Sequence, residues 1–308
     1  MNSKLSVITS SCAALSMISY LFNKKMLAGV IITGEMNPDI QSLEAQLNHS
    51  NIPFCYTSEE DKMISALVSW QAIAGVIFYC RSKISLPVIN TPEKGTINIH
   101  ASPLPAYRGP QPVYWQIRNG EKQTMLTAHM AVEEYDAGDI VAQQTVPVSE
   151  YDTHHSLTGK LYSYIPDLME KVINQLEKHK QFITQPQAEA PYFYARNITD
   201  EDLKINWKTI TASELINQVR AGNPQCGGSI LTLGSNQGQA QLLQASYSDL
   251  PVHNIPPGTI ICVSSDKGLV VALKDQAVRL DIIANADGVY DGFRFACLFR
   301  LSSAMSFS

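Results

Sequence analysis

Short apolar runs and helix-patterned segments take turns along the first hundred residues, and that alternation constrains the fold more than any other feature. Residues 5–9, 27–33, 53–56, 75–79 and 95–100 are strand-length runs rich in β-branched residues. Between them, residues 13–22, 37–51 and 64–70 are helix-length, with Ile40, Leu43 and Leu47 at helical spacing. Strands that alternate with helices read as βαβ units, which wind into a parallel sheet covered by helices on both faces. An α/β chain with a doubly wound sheet is therefore expected. The turn Thr9-Ser10-Ser11 has no Gly-x-Gly-x-x-Gly, so a dinucleotide is not expected despite the fold. Residues 5–22 carry no charge and follow Lys4, as in a secretory signal, but six Ser and Thr residues interrupt them and no compact Leu-rich core is present.

Chemistry enters where the fifth run ends. Ile97 and Ile99 alternate with Asn98 and His100, so a strand here buries the isoleucines on one face and sets the amide and imidazole side by side on the other. Pro103 and Pro105 cannot donate to a ladder, and Gly109-Pro110 signals a turn. The polar pair thus sits near the carboxyl end of its strand, where open α/β sheets place their chemistry. The residues alone fit equally well a strand end whose Asn and His satisfy backbone groups. Beyond it, residues 112–118 suit a helix closed by Asn119-Gly120, and 124–131 and 140–148 alternate as strands around the acidic loop 132–139. Four carboxylates in such a loop are, taken alone, most often a solvated hairpin tip. A helix over 154–178 follows, with the core stripe Leu157, Leu161, Ile165, Leu168, Val172 and Leu176. His154 and His155 are polar residues near its start and carry no assigned chemistry.

Composition breaks at residues 184–191, Thr-Gln-Pro-Gln-Ala-Glu-Ala-Pro, polar and proline-containing as linkers are. Past it come a helix over 212–221 and short β runs at 228–233, 240–246, 258–264, 268–273 and 277–283, a pattern that fits a small barrel. The expected division is a first domain over 1–183, a linker over 184–198 and a second domain over 199–308. Six cysteines with no Cys-x-x-Cys indicate neither a zinc site nor a disulfide framework, and reduced thiols fit a cytoplasmic protein. No metal is expected. A net charge of −5 offers no general attraction to nucleic acid or to an anionic membrane.

The run Asn98-Ile-His100-Ala-Ser102-Pro-Leu104-Pro105-Ala-Tyr107-Arg108-Gly109, followed by Asp136-Ala-Gly-Asp139, resembles the signature of the folate-dependent formyltransferases. These include the glycinamide ribonucleotide, methionyl-tRNA and amino-sugar formyltransferases. Pro103, where many members carry Leu, departs from the pattern without removing a reactive group. Ile205-Asn206-Trp207 and Arg220-Ala-x-Asn223-Pro224 resemble the C-terminal domain of the methionyl-tRNA and aminoarabinose members. The resemblance implies a Rossmann-like formyltransferase domain followed by a small OB-like β-barrel, 10-formyltetrahydrofolate as formyl donor, a primary amine as acceptor, and a homo-oligomer. It assigns catalysis to Asn98, His100 and Asp136 and a structural role to Asp139. It also puts Cys80, Ser82 and Ile84, with Tyr135 of the loop 131–136, at the folate pocket. A plain surface loop is the competing reading of residues 80–87.

An amine attacking a formyl carbon turns the carbonyl oxygen into an oxyanion, which needs donors already aimed at it. Asn98 offers an amide N–H at any pH and His100 a second donor, while Asp136 favours the imidazolium and relays the proton the amine must lose. Charge discriminates best among acceptors, because RNA requires Lys and Arg against its phosphates. No basic run follows residues 31–35, and residues 201–308 hold eight Lys and Arg against nine Asp and Glu. A small-molecule amine, with a nucleotide-linked amino sugar leading, is the expected acceptor, and initiator tRNA is the alternative. Hydrolysis of the formyl donor and a folate-binding relative that transfers nothing are the remaining readings. The latter has no need of Asn98, His100 and Asp136 together.

Overall fold

The computed structural model describes residues 4–189, 191–233 and 238–307. Two compact units divide the chain: Met1–Pro110, Gln123–Val146 and Gly159–Ala195 form the first, and Gln111–Lys122, Pro147–Thr158 and Arg196–Ser308 the second. The stretch read as a linker, 184–198, is thus shared between them, with everything through Ala195 in the first unit. Two segments read as parts of the first domain, 112–118 and the start of the helix at 154, belong to the second.

The chain opens with β1 (Leu5–Thr9), α1 (Leu15–Asn23), β2 (Leu27–Ile32), α2 (Pro38–His49), β3 (Phe54–Tyr56), α3 (Glu60–Ser69), β4 (Ala74–Ile77), α4 (Leu86–Asn90) and β5 (Thr96–His100). After α5 (Pro112–Arg118) come β6 (Gln123–Met130) and β7 (Ile140–Pro147). The seven strands form one sheet in the order β3-β2-β1-β4-β5-β6-β7, parallel from β3 through β5, with β6 antiparallel to β5. β1, β2 and β4 are buried along their whole length, as strands covered on both faces must be. Strand order reverses between β1 and β4, which places the crevice of the sheet at the carboxyl ends of β1, β4 and their neighbour β5.

Helix α2 shows why the local sequence folds as it does. Asn37 caps it by accepting the N–H groups of Asp39 and Ile40, Pro38 sits in the first turn, and Ile40, Leu43 and Leu47 are buried. The helix expected over 154–178 is two helices, α6 (His154–Ser163) and α7 (Ile165–His179). The reason is Pro166, which has no N–H to donate and is tolerated only in a first turn. α7 then buries Ile165, Leu168, Met169, Val172, Ile173 and Leu176.

The second unit adds α8 (Asp200–Leu203), α9 (Ala212–Gly222), β8 (Ser229–Thr232), β9 (Gln239–Ser248), β10 (Ile260–Ser264), β11 (Gly268–Ala272), β12 (Ala277–Asn285), β13 (Gly288–Asp291) and α10 (Gly292–Leu298). Its strands make an antiparallel sheet, β10-β11-β12-β9-β8, with β13 paired to β12. The sheet expected to close into an OB-like barrel is an open path among the described residues, with no pairing of β8 to β10. β13 and α10 lie beyond the expected strands. Asn285 accepts the N–H groups of Asp287 and Gly288 and turns β12 into β13, and Asp291 caps α10. Trp207, Leu215, Leu242, Leu269, Leu280 and Phe295 belong to the core of this unit. Buried Arg220 donates from Nη1 to the carbonyls of Ser149 and Asp152, at 3.0 and 2.9 Å, which satisfies its charge and ties residues 149–152 to α9. Among the described residues no helix is long and apolar enough to cross a membrane.

Candidate active site

The end of β5 builds the site. Burial of Ile97 and Ile99 leaves Asn98 and His100 on the other side of the strand, and the antiparallel register sets Asn98 opposite His129 of β6. His129 Nδ1 lies 2.9 Å from the Met130 carbonyl and donates to it, which leaves Nε2 as an acceptor for the Asn98 amide at 3.1 Å. The same amide nitrogen lies 3.4 Å from Asp136 Oδ1.

His100 is buried with acceptors at both ring nitrogens: Nε2 is 2.9 Å from the Tyr107 carbonyl and Nδ1 is 3.4 Å from Asp136 Oδ1. The neutral ring donates across the shorter contact and keeps Nδ1 unprotonated beside the carboxylate. Burial depresses the pKa of this imidazole more strongly than Asp136 and the Tyr107 carbonyl raise it. Burial acts on Asp136 in the opposite sense, yet its polar neighbours, His129 first and then His100 and the Gly109 N–H, outweigh it and hold the carboxyl below its ordinary range. That N–H reaches Asp136 Oδ2 at 3.0 Å. It gets there because Gly109 has φ +116, and a Cβ at this position would stand 2.8 Å from the Ala195 carbonyl oxygen.

The structure thus brings Asn98 and His100 each to within 3.4 Å of Asp136 Oδ1, with His129 and the Gly109 N–H as additional members. His129 stood on an alternating strand, but its partnership with Asn98 depends on a register that the sequence does not display. Asp139 lies outside the cluster, its carboxylate 3.3 Å from Thr184 Oγ1 and its carbonyl on Met130 N.

On the folate side, Cys80 Sγ donates to the Ser82 carbonyl at 3.3 Å, and burial pushes the thiol pKa up. The Ile84 side chain is buried in the core with Ile8, Ile31 and Met63, so only its backbone is available to a ligand. Tyr135 is 65% exposed, and the Lys83 ammonium sits 5.7 Å from its ring. Residues 80–84 and the loop that ends on Asp136 therefore meet at the surface.

The "Formyl transferase" pattern matches residues 24–173, and "Formyl transferase, C-terminal domain" matches residues 197–289. The methionyl-tRNA formyltransferase of Synechococcus elongatus is 31% identical over 232 residues, which cover 72% of this chain and 70% of that protein. The chain belongs to the formyl transferase family. Folate-dependent formyl transfer is the chemistry of that family, and this formyltransferase is an enzyme of that class. Its fold is similar to the N-formyltransferase from Helicobacter canadensis, solved with folinic acid and dTDP-3-aminofucose, at TM-score 0.68 and 19% identity, covering 93% of this chain and 99% of that one. HypX from Aquifex aeolicus, solved with tetrahydrofolic acid, gives TM-score 0.62 at 19% identity, with 97% of this chain covered. The formyltransferase spans 48% of HypX, about half its length.

Proposed function

We propose that the enzyme moves a formyl group from 10-formyltetrahydrofolate to a primary amine on a small molecule, with a nucleotide-linked amino sugar as acceptor. The meeting of Asn98, His100 and Asp136 at the end of β5, in a member of this family, is the observation that carries the transfer chemistry. Asp136, held ionised, accepts the proton that the attacking amine loses. His100, neutral and with Nδ1 turned to Oδ1, shares that proton, and the pair returns it to the departing folate nitrogen. One C–N bond forms, one breaks, and the proton passes from one nitrogen to the other. Asn98 keeps its bond to His129 and turns its second N–H, long at 3.4 Å to Asp136, onto the carbonyl oxygen as charge builds there. The backbone of residues 80–84 and the Tyr135 ring bind the folate side.

The even balance of charge in residues 201–308 supports the small acceptor, as does the aminosugar nucleotide seen with the Helicobacter canadensis enzyme. A second reading, initiator tRNA, is favoured by the 31% identity to a methionyl-tRNA formyltransferase. Incubation with 10-formyltetrahydrofolate and a panel of nucleotide-linked 3-amino and 4-amino sugars, amino acids and charged initiator tRNA separates the two by which product gains the mass of a formyl group. Formylated amino-sugar nucleotide without formylated tRNA is the expected result. Efficient formylation of the tRNA overturns it, and donor consumption at equal rates with and without amine identifies a hydrolase.

A further inference from the structure

Gln187 lies in the stretch that reads as linker, yet its side chain is engaged at both ends beside Asp136. Nε2 donates to the carbonyls of Asp136 and Gly138, each at 2.8 Å. Oε1 accepts from Arg108, at 3.0 Å from Nε and 2.6 Å from Nη2. Arg108 is itself held, with its guanidinium 4.7 Å from the Tyr192 ring centroid and Nη1 3.2 Å from the Tyr192 hydroxyl. One residue further on, the Gly109 N–H takes Asp136 Oδ2. Consecutive residues of one turn therefore grip Asp136 twice, Arg108 through Gln187 at the main-chain carbonyl and Gly109 directly at the carboxylate.

This closed ring matters because Asp136 has φ +56, a left-handed conformation that costs a residue with a Cβ some strain and that these contacts help to hold. The backbone angle fixes the direction of the Cα–Cβ bond, and so the position of the carboxylate relative to Asn98 and His100. A primary amide suits the task, since two carbonyls need N–H donors and a guanidinium needs an acceptor. Glutamate cannot supply those donors, and lysine cannot supply that acceptor.

We propose that Gln187 is a positioning residue for formyl transfer, holding Asp136 in its working conformation through the Arg108–Gln187–Asp136 chain. The inference rests on the reading of Asp136 as the proton acceptor. It is tested in the full chain with Gln187→Ala, Gln187→Glu, Asp136→Asn and Gln187→Ala combined with Asp136→Asn, using 10-formyltetrahydrofolate and the amine that the panel shows to be turned over fastest. Gln187→Ala is expected to lower kcat on the order of 10²-fold, as a displacement of about 1 Å does, with KM for the donor within roughly threefold of wild type. Gln187→Glu, which still accepts from Arg108, should be as slow. The double variant should be no slower than Asp136→Asn alone, because the two residues act through one group. A crystal structure of Gln187→Ala should show Asp136 out of the left-handed region or its carboxylate away from Gly109 N, a readout that needs no acceptor. Wild-type kcat in Gln187→Glu beside an inactive Asp136→Asn, or an unmoved Asp136 in that crystal structure, overturns the role of Gln187 alone. Wild-type kcat in Asp136→Asn overturns the reading beneath it. If Gln187→Ala does not fold, the near-isosteric Gln187→Glu carries both measurements.

Discussion

Asp136 and His100 are both pulled by burial toward the neutral state, and their neighbours reverse that pull at one of them only. The carboxyl stays below its ordinary range while the imidazole stays neutral, which suits a pair that receives a proton and gives it back. The same asymmetry fixes how stability depends on pH. The folded-state pKa of His100 is depressed, so the unfolded chain takes up its proton first, and stability is intact above about 6.5 and lost as pH falls below it. His154, pushed down to about 4 by burial and by His155, acts in the same window. Asp136 contributes with the opposite charge but the same sign, its stabilisation present above the usual carboxylate range and lost only lower, as pH falls through its depressed pKa. Thermal midpoints measured between pH 7.5 and 5 should therefore fall in the wild type and fall less steeply in His100→Gln and in His154→Gln. An unchanged slope in His100→Gln would remove that residue from the account. At this scale much of the site was legible, because Asn98, His100 and Asp136 stand in an ordered motif. Gln187 was not, since a glutamine in a polar, proline-containing stretch leaves no periodic trace.

The acidic loop between β6 and β7 is where an element, rather than a residue, decides the geometry. Four carboxylates in a turn read as a solvated tip, and Glu133, Glu134 and Tyr135 are indeed exposed, but Asp136 turns inward because the chain reverses tightly at Gly138. A Cβ on Gly138 would overlap the Met130 carbonyl oxygen, so the loop closes against β6 only with glycine there. Gly138→Ala should push the loop off β6, at a cost to stability of about 1–3 kcal/mol from the overpacking. Turnover should fall more severely, on the order of 10²-fold, because the carboxylate moves with the loop. Thermal melts and steady-state rates check the two together, and wild-type turnover would show that Asp136 is placed by other means. Elements with a strong pattern were readable in advance: β2 and β4 of the parallel sheet are continuous apolar runs, and α2 announces itself by Asn37, Pro38 and its apolar spacing. Pro166 was the missed signal, a break inside an otherwise unbroken stripe. β13 was missed because it is a four-residue strand whose turn rests on one asparagine side chain.

For the whole molecule, a linear division at the polar stretch 184–198 misses the interleaving of the two units. Nothing in composition marks residues 111–122 or 147–158 as belonging with the second unit, because what assigns them there is three-dimensional, as in the hold of Arg220 on the carbonyls of Ser149 and Asp152. Net charge, by contrast, is a whole-molecule property the sequence displays directly, and it bears on the acceptor. A net charge of −5 offers no general attraction to a polyanion, and the 201–308 region at formally −1 adds no basic excess by composition. An enzyme that recognised tRNA through six to ten phosphate contacts would lose about 10³–10⁵ in affinity between 50 and 200 mM salt, since each neutralised phosphate releases counterions. A nucleotide-linked amino sugar carries only a diphosphate, so its kcat/KM should fall by less than about tenfold over the same range. The measurement is a salt series of initial rates on whichever acceptor is formylated, with 10-formyltetrahydrofolate saturating. A shallow dependence fits the small acceptor. A thousandfold loss would mean that recognition runs along a nucleic-acid backbone after all, and that the basic groups responsible are gathered locally in a way the overall charge conceals.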